Sequence, residues 1–230
     1  MIPIGDDERP RGFPFVTYAL IAANVWVFVQ ELNAPDLDRF INAFALIPYD
    51  LVNGIVLDPP SPPVPALTVI TSMFLHGGFL HIAFNMLFLF VFGPQVEALC
   101  GSLRFLAFYL LCGIAGDVAQ VAIAPGSHVP SLGASGAIAG VLGAYLVNFP
   151  FASVRTIVPI GCFPLFLRLP ALLVIGLWAL TQFLNGFGTL GGRAAESQGG
   201  TAYFAHIGGF CAGVLLIGIM SRRRTKVRAR

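Results

Sequence analysis

The chain has 230 residues, 57% of them hydrophobic and 10% charged, with a mean hydropathy of +0.82. Soluble domains carry roughly 25% charged residues, so this chain lacks the polar side chains to face water on all sides and belongs in a bilayer. The net charge is +2, and six of the 13 Lys and Arg lie in the last nine residues; that reads as a basic end held against anionic lipid and excludes a nucleic-acid patch.

A spanning helix needs about 20 apolar residues. Six segments qualify in chain order: Pro14 to Val29, Phe79 to Val96, Leu103 to Ala124, Leu132 to Phe149, Leu169 to Phe187 and Ala202 to Met220. Gly93-Pro94 marks the end of the second or a kink in it, and Pro150 stops the fourth. The first apolar run follows Asp6-Asp7-Glu8-Arg9 and is long enough to span, so it is read as a retained helix and not as a cleaved signal peptide. The expected fold is an all-α membrane protein, a six-transmembrane helix bundle with a long interfacial first loop. Residues 1–12 form a short cytoplasmic N-terminus, 13–220 the six-helix domain and 221–230 a basic cytoplasmic tail.

Sidedness follows from charge. Cytoplasmic segments would hold Arg9, Arg11, Arg104, Arg155, Arg168 and the six tail cations, against Arg39 and Arg193 outside. The compact size and the absence of an evident organelle presequence point to a bacterial inner (plasma) membrane. The longest connection, about Gln30 to Gly78, carries four Asp and the run Pro59-Pro60-Ser61-Pro62-Pro63-Val64-Pro65, yet Phe44-Ala45-Leu46-Ile47 is apolar enough to lie in the interface. The Gly-rich connection Gly191 to Gly200 is either a linker or a mobile cover. Cys100, Cys112, Cys162 and Cys211 show no CxxC spacing and read as small core hydrophobes. No metal and no cofactor is expected.

Ionisable groups at membrane depth cost roughly 2.5–3.5 kcal/mol, so each is a functional candidate. His81 and Asn85 share a helix face at i, i+4. Two readings stay open for them: polar glue between helices, or two N–H donors aimed at one oxygen. His76 is off that face and reads as a structural loop histidine. Asp117, alone as an acid at depth, reads as a packed, hydrogen-bonded or protonated carboxyl. Glu97 and Arg104 read as turn or capping residues, and His128 as a loop residue.

Ser135 sits in Gly133-Ala134-Ser135-Gly136 and His206 in Ala205-His206-Ile207-Gly208-Gly209. Glycines at 133, 136, 140 and 143 in one span, and at 209 and 213 in the other, permit close helix packing that would bring Ser135 to His206. The competing explanation is that the glycines only pack and Ser135 only caps a helix. A serine with a base in reach is a nucleophile, and acyl transfer also needs donors at the developing oxyanion. No Asp or Glu stands near His206, so the arrangement is a dyad.

His76 to Asn85, Gly133-Ala134-Ser135-Gly136 and Ala205 to Gly209 together resemble the rhomboid family of intramembrane serine proteases, in the family's order and over about Pro14 to Met220. The resemblance implies Ser135 as nucleophile, His206 as general base and acid, and His81 and Asn85 as oxyanion donors. It further implies an outward-opening aqueous cavity, a first loop in the interface, transmembrane protein substrates cut near their outer ends, and the lipid bilayer as the working environment. Two positions depart from common family patterns. Pro65-Ala66-Leu67-Thr68 stands where many members have a Trp-Arg pair, and Ala139 where some have a tyrosine packed on the catalytic histidine. The fifth span, with Trp178 and Phe183, is either a side gate or a set of ordinary lipid-facing aromatics. The alternatives are a non-catalytic rhomboid-like membrane client-binding protein, which loss of Ser135 or His206 would mark, and a channel or transporter, against which the lone acid and unpaired spans count. The lack of HExxH disfavours a zinc protease.

Overall fold

The structure, a computed structural model, describes residues 1–8, 12–57, 61–160, 163–189 and 202–221. Arg193, the Gly191–Gly200 connection, Cys162, Arg9, Arg11 and the basic tail from Arg222 lie outside the described residues. The helices are α1 (Phe15–Asn33), α2 (Leu37–Phe44), α3 (Pro48–Asn53), α4 (Thr68–Thr71), α5 (Phe79–Cys100), α6 (Ser102–Ile123), α7 (Ser135–Asn148), α8 (Ala171–Thr189) and α9 (Tyr203–Met220). Among the described residues, α1, α5, α6, α8 and α9 are long and apolar enough to cross a membrane.

The remaining apolar segment makes a shorter helix than its sequence suggests. α7 has 14 residues, about 21 Å at 1.5 Å per residue, below the roughly 30 Å of a hydrocarbon core. Residues 131–134 before it run as a loop because Gly133 takes φ +125°, a conformation open to glycine. Everything from Gly136 to Tyr145 is buried. α7 is therefore the central strut of the bundle, packed by α5, α6 and α9. α5 in turn runs straight through Pro94 to Cys100. A proline inside a helix is tolerated where neighbouring elements surround the freed backbone, and Pro94 is fully enclosed in the bundle.

The fold adds one feature to the helical bundle, a three-stranded antiparallel sheet in the order β1 (Ile2–Asp6), β2 (Ser153–Ile160), β3 (Phe163–Pro170). Val154 and Thr156 of β2 point into the protein, and Pro3 and Pro164 sit on the two edge strands, where a missing N–H costs least. Arg155 and Arg168 face each other across β2 and β3. Asp7 offsets their repulsion, accepting from Arg168 Nη1 at 3.0 Å with Arg155 Nε at 4.0 Å. Tyr145 donates to Asp6 Oδ2 at 2.7 Å, and Gln95 Nε2 to the Glu8 carbonyl at 2.7 Å. The N-terminal stretch is thus built into one end of the bundle and does not hang free of it.

The two ends of the bundle are each tied together. At the sheet end, Glu97 of α5 is 3% exposed. It accepts the first N–H groups of α1, from Val16 at 3.0 Å and Thr17 at 2.8 Å, and the hydroxyls of Thr17 at 2.8 Å and Ser102 at 2.7 Å. One carboxylate caps α1 and fastens it to α5 and α6. At the other end, the long first loop is folded. Leu46, wholly buried, exchanges both backbone bonds with Ser131 at 3.0 and 2.8 Å, Tyr49 N–H reaches Ser127 O at 3.0 Å, and Gly133 N–H reaches Ser72 O at 2.9 Å. Thr71 and Ser61 hydroxyls bond the carbonyls of Phe44 and Ala43 at 2.7 and 3.2 Å. These bonds anchor the loop without a Trp-Arg pair. Cys100 and Cys112 are in the core as expected, whereas Cys211 faces out of the bundle.

Two stability predictions follow from these ties. Glu97→Ala strands two N–H groups and two hydroxyls in a buried site, which should lower unfolding stability by about 3 kcal/mol; the midpoint of denaturant unfolding in micelles measures it, with Glu97→Gln falling between variant and wild type. The second concerns His76, which is 2% exposed and gives its backbone N–H to Glu31 Oε1 at 2.9 Å. Burial, and secondarily His81, pushes its imidazole down from 6.5 to about 4. Below pH 6.5 the unfolded chain binds a proton that the folded site refuses until about pH 4, so stability should fall by about 3 kcal/mol across that interval and level off below it. His76→Asn should remove this slope, as read from unfolding midpoints between pH 7 and pH 4.

Candidate active site

The site is assembled at the N-terminal ends of α7 and α9. Ala205 opens the contact. A Cβ on Gly116 of α6 would lie 2.5 Å from the Ala205 carbonyl oxygen, and one on Gly136 would lie 3.5 Å from it. One turn on, a Cβ on Gly209 would collide with the Gly136 carbonyl, and one on Gly213 with the Gly140 carbonyl. These positions must be glycine for α9 to rest backbone to backbone on α7. The packing carries His206 onto Ser135.

The resulting bond is short: His206 Nε2 lies 2.7 Å from Ser135 Oγ. Ser135 does not cap α7, since Ala134 is the N-cap and no side chain bonds there. Its hydroxyl is spent on the histidine instead. As the first helical residue, its backbone N–H has no intrahelical acceptor and carries the positive end of the helix dipole. On the other ring nitrogen, His206 Nδ1 lies 2.7 Å from Gln182 Oε1 of α8. Trp178, one turn earlier on α8, packs on the imidazole with centroids 5.9 Å apart. Ala139 is fully buried, and α8 supplies the ring contact that a tyrosine there would give.

His81 and Asn85 line the same cavity as Ser135 and His206. Gly77 N–H donates to His81 Nδ1 at 3.3 Å. A neutral imidazole that accepts on Nδ1 carries its proton on Nε2. That Nε2 faces Gly133, where an added Cβ would lie 2.8 Å from it and 3.6 Å from Ser135 Oγ. Glycine at 133 therefore serves both its positive φ and the open space between the His81 imidazole and the Ser135 hydroxyl. Asn85 is 7% exposed, and its Nδ2 has no hydrogen-bond partner in the protein. Buried donors are nearly always paired, so an idle one pointing into a cavity beside a serine is suited to an oxygen that arrives with a ligand. The cavity has a volume of about 710 Å³ and is walled by apolar side chains such as Phe84, Phe88 and Trp178. It holds room for water and for an extended peptide segment.

The other residues singled out from sequence lie elsewhere. Asp117 is buried and accepts from Ser72 at 3.4 Å. His128 stacks on Tyr49 with centroids 4.1 Å apart. His76 packs edge-on against His81 at 5.1 Å and supports the site from behind. Phe183 stacks on Phe187 and not on the cavity residues, whereas Trp178 does line the cavity. Gln182 is the site residue that sequence reasoning missed. Among the described residues, no cluster of His, Cys, Asp or Glu is arranged to hold a metal.

The chain is similar to known proteins of one family. The family model described as the Rhomboid domain matches residues 65–223. The chain is 32% identical over 223 residues to Rhomboid protein 1, mitochondrial, of Saccharomyces cerevisiae, covering 94% of this chain and 56% of that protein. It is 49% identical over 78 residues to Rhomboid protease GluP of Bacillus subtilis, covering 34% of this chain and 15% of that one. It is 34% identical over 133 residues to the Presenilin-associated rhomboid-like protein, mitochondrial, of Homo sapiens, covering 57% and 32%. The chain spans 56% or less of the length of each of these three relatives. With most of its length matched by the family model, this multi-pass integral membrane protein belongs to the rhomboid family.

Proposed function

We propose that the chain is an intramembrane serine endopeptidase that hydrolyses peptide bonds in or near transmembrane segments of other membrane proteins. The observation that carries this reading is the 2.7 Å contact between His206 Nε2 and Ser135 Oγ in a cavity that also presents His81 and Asn85. Ser135 Oγ attacks the scissile carbonyl carbon while its proton passes to His206 Nε2. The carbonyl oxygen becomes an oxyanion, held by His81 Nε2–H, Asn85 Nδ2–H and the Ser135 backbone N–H. Collapse of the tetrahedral intermediate breaks the C–N bond, and His206 returns the proton to the leaving amine. Water from the cavity then attacks the acyl-enzyme with His206 again as base, releasing the acid and restoring Ser135.

A transmembrane helix must unwind locally to expose a carbonyl, so substrates with small or helix-breaking residues near the outer end of the span are the preferred class. Entry is lateral, past α8. The cation distribution supports both termini in the cytoplasm, with α7 counted as a sixth crossing. The relatives include proteins named mitochondrial as well as Bacillus proteins, and so do not support a bacterial inner membrane in particular.

Cleavage of a reconstituted single-span substrate tests this reading. Ser135→Ala and His206→Ala should abolish cleavage, while Asn85→Ala should lower kcat by about 100-fold with little change in KM, as loss of one oxyanion donor does elsewhere. Equal cleavage by wild type and Ser135→Ala would sink the assignment and leave a client-binding role.

A further inference from the structure

We propose that Gln182 is the positioning residue for the catalytic base, and that it makes the docking of α8 a condition of activity. This rests on the Ser135–His206 reading above. No Asp or Glu bonds His206 among the described residues; α8 provides a neutral acceptor instead.

The argument is one of donors and acceptors. Gln182 Nε2 lies 3.4 Å from the Trp178 carbonyl and 3.2 Å from Thr181 Oγ1. Thr181 spends its own hydroxyl proton on the same carbonyl at 2.6 Å, so its oxygen is free to accept. Both neighbours accept, so the amide nitrogen faces them and Oε1 faces His206. An amide oxygen can only accept. The 2.7 Å contact therefore requires the proton of His206 on Nδ1. In the neutral ring this leaves Nε2 with its lone pair, aimed at Ser135 Oγ. The opposite tautomer would put N–H against the serine and leave no base. Trp178 closes the ring face and also packs on Phe210, with centroids 6.4 Å apart. The same turn of α8 thus holds the imidazole in plane and in tautomer.

The bond crosses from α8 to α9. Gly186, one turn after Gln182, sits against Tyr203 and Ile207 on either side of His206. α8 therefore seats on the very turn that carries the base. Any displacement of α8 that widens the cavity stretches the Gln182–His206 bond, and the base regains its orientation only when α8 settles again. Substrate admission and activation of Ser135 are linked through one side chain.

The test uses the full chain in proteoliposomes with a fluorescent transmembrane reporter peptide that the wild type cleaves. Gln182→Leu should lower kcat on the order of 10–100-fold, less than loss of the base itself, with KM within about twofold. Gln182→Glu keeps an acceptor and should restore most of kcat. Nitrogen-15 spectra of histidine-labelled protein, assigned with His206→Ala, should show His206 protonated on Nδ1 in the wild type and as a tautomer mixture in Gln182→Leu. Full kcat in Gln182→Leu, a Glu variant as poor as the Leu variant, or wild-type His206 protonated on Nε2 would each overturn the proposal. The wild-type spectrum decides even if Gln182→Leu fails to fold. Cleavage that survives Ser135→Ala would instead overturn the dyad, and it is scored separately from the tautomer.

Discussion

The contact on which the site depends is a packing contact between bare backbones. Gly209 and Gly213 of α9 lie on the carbonyls of Gly136 and Gly140 of α7. Within lipid there is little hydrophobic force between helices, so association relies on van der Waals fit and on hydrogen bonds. Glycine maximises that fit by letting the axes approach. The consequence here is chemical as well as structural. At that spacing an imidazole from one helix and a hydroxyl from the other meet at 2.7 Å with no bridging residue. A side chain at Gly209 or Gly213 would run into those carbonyls and push His206 away from Ser135.

The remainder of the fold holds that contact at depth. α7 is short and begins only at Ser135, and the loop before it is held from outside. The first loop does this through Leu46 with Ser131 and Ser72 with Gly133. At the opposite end Glu97 gathers α1, α5 and α6, and the sheet closes the gap between α7 and α8. α8 reaches the site through Trp178, which lines the cavity, and through Gln182, which bonds His206. The Ser135 hydroxyl and the Trp178 wall of the cavity are thus carried by different helices.

Much of the site was legible in sequence because the bilayer makes polar residues conspicuous. His81, Asn85, Ser135 and His206 each stood out against an apolar background, and the glycine spacing showed which spans could bring the last two together. Gln182 was passed over because an uncharged amide between Thr181 and Phe183 carries less apparent cost than a charge. Yet its cost at depth should have demanded a partner. The sheet was hidden by its prolines. Pro159, Pro164 and Pro170 lie in its strands, where proline is uncommon, and the alternation of Val154 and Thr156 with Arg155 is too short to announce a strand beside them. The length of α7 was overread because Leu132 and Ala134 extend its apolar run, while Gly133 at positive φ keeps the backbone out of helix until Ser135. Of the two readings of Gly93-Pro94, an end or a kink, the end does not hold, since α5 continues to Cys100 and a buried bundle tolerates a proline that an exposed helix would not.

The account stands or falls on whether the proximity of Ser135 and His206 makes a nucleophile. A fluorophosphonate reports this without any choice of substrate, since it modifies only a serine that a neighbouring base activates. Intact mass and peptide mapping of the labelled protein in lipid should show a single adduct, on Ser135, that is lost in His206→Ala. An adduct on another residue, or one on Ser135 undiminished without His206, would contradict it.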